Sequence, residues 1–177
     1  MTALEVRPVT AAGWDDFAAL FRARGGPHYC WCTTYRVSGS AHSDDETRES
    51  RMRGLVEAGT PVGVLAYADD GPAGWCSVAP RESYARLARS RTMPRVTRPD
   101  EPTWTVMCFF VPRDHRGEGV TRALVEGAIE YARAEGAAVL EAYPFDTAGI
   151  SSTHRGHSSV FAAAGFTRDG LRWSRRL

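Results

Sequence analysis

The sequence predicts an α/β (α+β) fold: a mixed central sheet of about six to seven strands flanked by about four helices, in one domain covering residues 1–177. Three observations carry this. Short apolar or alternating runs sit between turn residues, as strands do, and segments of helical period separate them. From Thr103 to Pro144 the order is apolar run, glycine turn, amphipathic segment, apolar run, which is a βαβ crossover with parallel strands.

Taken in order, Leu4 to Val9 reads as a short strand, and Thr10 has the side chain of an N-cap for a helix carrying Trp14, Phe17, Leu20 and Phe21 on one side. That helix closes at Gly25-Gly26, and the aromatic-rich connection "PHYCWCTTYR" follows. Ser43 and Glu46 have capping-box spacing for a second helix with Met52, Leu55 and Val56 on one face, ending at Gly59. "PVGVLAYADDGPAGWCSVA" is a hairpin turning through Asp69-Asp70-Gly71. The arginine-rich stretch 80–102 is irregular and long for a loop, which suggests either function or a short helix around Tyr84 to Leu87. "TWTVMCFFV" is apolar enough to be central in the sheet. The next helix repeats Val120, Leu124, Ala128 and Ala132 on one face, ends at Gly136, and leads into the buried-type strand "AAVLEAYP". A short helix near Ser158 to Ala164 and a last strand near Leu171 to Leu177 complete the chain.

Composition narrows the function. At 43% hydrophobic residues and a formal charge of +1, the chain is expected to be an ordinary globule, with no basic field for nucleic acid. No apolar stretch approaches the ~18 residues of a membrane span, and the N-terminal segment lacks a signal-peptide core, so a cytoplasmic location is expected. Cys30, Cys32, Cys76 and Cys108 lack paired zinc-type spacing; reduced thiols and no metal are expected, although His28, Cys30 and Cys32 could begin a site. All 22 Lys+Arg residues are arginine.

The chemistry concentrates at Arg116-Gly117-Glu118-Gly119, where a helix must begin although glycine is a poor helix former. The glycines could serve only a tight turn. They could also leave backbone N–H groups facing an anion at a helix N-terminus, whose dipole favours negative charge. The dinucleotide fingerprint and the P-loop both fail here, the second for want of a lysine.

Arg116, Gly117, Glu118, Gly119, Val120 and Thr121, with Val111 five residues before Arg116, resemble the pyrophosphate-binding signature of the GNAT acyltransferase superfamily. The likeness extends in element order along the whole chain, and "AAAGF" is similar to the family's closing motif. "CWC", "SRT", "CFFV", "EAYP" and "VFAAAGF" together look like a bacterial subgroup of that family. The resemblance implies acetyl-coenzyme A as co-substrate, held by residues 116–121 and by Phe109, Phe110 and Val111 along its pantetheine arm. It implies transfer of acetyl to a primary amine, expected to be on a small molecule, by direct attack in a ternary complex. Two positions depart from the family: Thr121 replaces a small residue, and Phe161 stands where many members place a tyrosine that protonates the departing thiolate. The other reading is a non-catalytic acyl-coenzyme A binding or sensing protein, which Phe161 motivates.

Glu141 and Tyr143 alternate onto one face of an apolar strand. Glu141 could accept the amine proton, or it could be the partner of an arginine. Tyr143 could supply a phenol or pack at the rim. His154 and His157 are further acid or base candidates, and Cys108 reads as a small buried residue. In the resembled fold the connection holding Tyr29, Trp31, Tyr35 and Arg36 covers the acceptor side, where its aromatics could form a box for a cation or simply pack. Acceptor identity and oligomeric state are not set by the sequence.

Overall fold

A computed structural model describes residues 4–37, 45–146 and 153–177. The order is β1 (Glu5–Pro8), α1 (Trp14–Arg22), α2 (Asp45–Glu57), β2 (Val64–Ala68), β3 (Gly71–Pro80), β4 (Thr103–Phe110), α3 (Val120–Ala134), β5 (Val139–Ala142), α4 (Ser158–Ala163), β6 (Thr167–Asp169) and β7 (Arg172–Arg176). The seven strands form one sheet in the order β1-β2-β3-β4-β5-β7-β6. Strands β4 and β5 pair in parallel, as the crossover through α3 requires, and the other neighbours are antiparallel.

The expected elements are present, with two local differences. A 3-10 turn, Ala11–Gly13, separates Thr10 from α1, and the Thr10 side chain makes no capping bond. The Ser43–Glu46 capping box lies outside the described residues. The last strand is a hairpin turning at Gly170, where φ is 60°; the three residues of β6 are all exposed and so carry no apolar pattern to read.

Two apolar layers sandwich the sheet. On one face α3 and α4 bury Leu124, Val125, Ala128 and Phe161 against Val64, Val78 and Val106. On the other, α1 and α2 bury Phe17, Phe21 and Met52 with Trp31, Leu65 and Trp75. The two faces alternate along β3, with Trp75 on one and Cys76 on the other, which is the period of a strand covered on both sides. Gly74 sets how close α3 can come: a Cβ there would lie 2.6 Å from Val120 Cγ1. Any side chain would push the start of α3 away from the sheet.

The functional feature of the sheet is an unfinished pairing. Strand β5 matches β4 from Thr103↔Val139 to Val106↔Ala142 and stops, while β4 continues to Phe110. At the same level the β3–β4 register shifts, Ser77 facing Cys108 and Val78 facing Val106, so Met107 is an extra residue on β4. A bulge bends its strand and raises its twist, which carries the end of β4 away from β5. A gap opens beside residues 107–110.

Candidate active site

The glycine turn has a definite backbone reason. Gly117 and Gly119 adopt φ of 84° and 82°, left-handed values that a side chain resists, and Gly119 is the N-cap of α3 with no capping side chain. A Cβ at either position would meet nothing within 4 Å. The glycines are therefore required by conformation rather than by crowding, and open space lies over them. The first N–H groups of any helix lack intrahelical acceptors, so the start of α3 presents Val120 and Thr121 amides as donors. A tight turn and unpaired helix-start amides therefore adjoin one another between Gly117 and Thr121.

A cavity of about 960 Å³ runs from this turn along the unpaired end of β4. Its walls include Phe109, Phe110, Val111, Arg116, Gly117, Gly119, Val120 and Thr121, eight of the nine residues expected to hold the cofactor. Arg116 Nε donates to the Val111 carbonyl at 3.2 Å, tying the glycine turn to the strand end five residues earlier. Glu118, the ninth, is exposed and bonded to His115 Nδ1 at 3.2 Å, so its side chain turns out of the cavity. The far wall is built from the segment before α4, with His154, Gly156 and His157, and from Val160 within α4.

The acceptor-side residues divide. Tyr29, Thr34 and Tyr35 line the cavity, and Tyr29 is 62% exposed. Trp31 is instead 1% exposed, its ring stacked on Phe21 with centroids 5.2 Å apart. Arg36 is buried as well, its guanidinium 4.6 Å from the Tyr84 ring and donating to the Val62 carbonyl at 3.0 Å. Neither is among the cavity walls. Trp31 and Arg36, two and seven positions after Tyr29 in a chain of tight turns, point away from the cavity that Tyr29 lines, which spacing alone does not reveal.

Glu141 and Tyr143 also sit elsewhere than the cavity wall. Glu141 is fully buried; Arg81 bonds its Oε1, Thr105 Oγ1 donates to the same oxygen at 2.9 Å, and Arg172 Nε donates to Oε2 at 2.8 Å. Arg81 Nη1 also donates to the Tyr143 hydroxyl at 3.3 Å, and burial, the largest cause, raises the pKa of that phenol. The two residues share one face as expected, and Arg81 occupies it. Arg81 further donates to the Met93 carbonyl at 2.5 Å, fastening the arginine-rich segment to the sheet.

Besides the histidines, the cavity is faced in their place by Ser77, which the sequence does not mark, and by three cysteines expected only as reduced thiols. Ser77 lines it, its hydroxyl 3.0 Å from the Tyr84 hydroxyl, whose pKa burial pushes up to about 12. Cys30, Cys32 and Cys108 line it too, brought together from two distant segments. No carboxylate is among the described residues that line the cavity, while the imidazoles of His115, His154 and His157 are. Of these His115 is engaged with Glu118 beside the glycine turn, while residues 153–155 pack on β4. Phe161 is fully buried, its ring 6.1 Å from Phe109 and 5.2 Å from Phe166. It supplies packing under the end of β4 and no hydroxyl.

Comparison with known proteins agrees with this geometry. No curated protein matches the sequence. Among solved structures, a ribosomal-protein-alanine N-acetyltransferase from Brucella melitensis superposes with a TM-score of 0.56 at 18% identity, over 98% of this chain and 99% of that one. A polyamine N-acetyltransferase from Drosophila melanogaster gives 0.59 at 11% identity, over 99% and 100%. A GNAT-family acetyltransferase from Brucella melitensis, solved in complex with acetyl-CoA, gives 0.53 at 11% identity, over 100% and 90%. These identities establish the shared fold. The family model described as "Acetyltransferase (GNAT) family" matches residues 18–151, a span that runs from α1 through the glycine turn and β5, and the chain belongs to that family of acetyltransferases.

Proposed function

We propose that the protein transfers an acetyl group from acetyl-coenzyme A to a primary amine on a small molecule, by direct attack within a ternary complex. The observation that carries this reading is the continuity of one cavity from the Gly117–Gly119 turn, along β4 beyond the last β5 pair, to the aromatic wall at Tyr29 and Tyr35. Its lining, from helix-start amides at one end to the open edge of β4, suits a cofactor with an anionic end and a long neutral arm. The pyrophosphate would take the amides at the start of α3 and the Arg116 guanidinium. The pantetheine arm would complete the open edge of β4 at Phe109 to Val111, a strand-like addition to a strand that lost its partner.

With the thioester placed beside the β4 bulge, the rate would come largely from holding amine and carbonyl in contact, which removes the entropic cost of bringing them together. The attacking amine must lose a proton. His154, half-buried in the cavity wall on a turn packed against β4, is our choice of acceptor, directly or through one water. The Glu141 carboxylate holds Arg81 and Arg172 in place and does not meet substrate. Tyr29 and Tyr35 would contact the acceptor.

The experiment is thiol release from acetyl-coenzyme A across a panel of small amines, alongside calorimetric titration with acetyl-coenzyme A alone. Saturable release with at least one amine is the expected result. Binding without release across a broad panel would replace catalysis by cofactor sensing, and absence of binding would remove the cofactor assignment itself.

A further inference from the structure

The cavity holds a pair of thiols in contact. Cys32 Sγ donates to Cys108 Sγ at 3.2 Å, although 76 residues separate them, one lying in the connection after α1 and the other on β4 at the bulge. The approach is held by the surrounding protein. Trp75 Nε1 donates to Cys32 Sγ at 3.3 Å, and the Cys32 amide donates to Cys30 Sγ at 3.4 Å. Trp31 and Cys32 are consecutive non-glycine residues at φ of 46° and 47°. Left-handed backbone is unfavourable for such residues, and it persists only where packing enforces it. Here the stack of Trp31 on Phe21 and Trp14 enforces it. The strained turn delivers the Cys32 sulfur to Cys108 and not to solvent.

We propose that Cys32 and Cys108 form a reversible dithiol–disulfide pair that reacts with low-molecular-weight disulfides entering the acceptor end of the cavity. Cys108, the more accessible of the two, is the attacking thiol and Cys32 the resolving one. The Cys108 thiolate attacks one sulfur of the small disulfide RSSR and expels RS⁻, leaving Cys108–S–S–R. Cys32 gives up its proton, attacks the Cys108 sulfur and expels the second RS⁻. The protein loses two thiol hydrogens and gains one S–S bond, and RSSR becomes two RSH. The order of events follows from accessibility. Cys32 is buried, and its bond to Cys108 together with burial raises its pKa, so it reacts only once a mixed disulfide stands beside it. The product fastens the connection carrying Tyr29 to β4, and the acceptor wall becomes covalently fixed. Formation of the pair does not depend on which amine, or whether any amine, is acetylated.

The test exposes the reduced protein to excess glutathione disulfide, followed by thiol titration, intact mass and peptide mapping with cleavage after Trp31, which separates Cys30 from Cys32. Two of the four thiols should disappear, the mass should fall by two hydrogen atoms, and the linked peptides should contain Cys32 and Cys108. Dithiothreitol should restore all of these. Cys30→Ser should keep the cross-link. Cys32→Ser should instead arrest as a glutathione adduct on Cys108. Retention of all four thiols by the wild-type protein, or a cross-link that includes Cys30 or joins two molecules, would overturn the proposal.

Discussion

Arg81 and Glu141 form an ion pair in which the side chains are 5% and 0% exposed, and each is held from a second side, Arg81 by the Met93 carbonyl and Glu141 by Arg172. Thr105, the register partner of Glu141 across β4 and β5, completes the carboxylate's shell. The cluster clamps the strands at the level just before they part. It lies at the root of the cavity without lining it.

Glu141→Gln leaves one buried and one part-buried guanidinium group without a full counter-charge. Removing one partner of a buried pair costs about 3–5 kcal/mol, which for a domain of this size lowers the melting temperature by on the order of 10 °C. Turnover of the folded fraction should stay near that of the wild type. Calorimetric melting and turnover on one preparation decide the matter, and a 100-fold loss of turnover with an unchanged melting temperature would return the proton-acceptor role to Glu141.

Gly119→Val places a β-branched residue at a φ of 82° and fills the space over the start of α3. Strain of roughly 1–2 kcal/mol should appear in the melting curve. The affinity for acetyl-coenzyme A should fall by more than about 10-fold, since each lost hydrogen bond to a charged group is worth ~1.5–3 kcal/mol. Titration calorimetry gives the affinity, and an affinity equal to the wild type would mean that the phosphates lie elsewhere.

His154→Ala removes the acceptor that we place beside the thioester. A general base contributes typically about 10²–10⁴-fold, so kcat should fall within that range while cofactor affinity is kept. If His157→Ala shows that behaviour and His154→Ala does not, the role passes to the second imidazole.

Tyr84 links the cleft to stability at high pH. Its phenol is buried and its pKa is pushed up to about 12 from an ordinary 10.0. Between these values the unfolded chain has released its proton and the folded chain has kept it, so the folded state binds more protons and stability falls as pH rises. Below about pH 10 the contribution is fully present. Urea midpoints at about pH 9 and about pH 11 should differ less in Tyr84→Phe than in the wild type. Equal slopes in the two proteins would place the alkaline sensitivity in other groups.

What the sequence determined by itself was whatever local physics enforces. The glycines at 117 and 119 were legible because few other residues accept a left-handed backbone, and an uncapped helix start leaves its amides to an anion. The βαβ unit and the hairpin were legible because apolar period reports which face of an element is covered. Tertiary structure alone decided which side chains meet across the cleft. Whether Glu141 faces substrate or arginine depends on Arg81, 60 residues away, and whether Trp31 or Tyr29 lines the cavity depends on turns too tight to carry a period. The meeting of Cys32 with Cys108 likewise has no local signature. Pairing between distant segments is fixed by the packing of the whole sheet, and no window of residues contains the information that selects it.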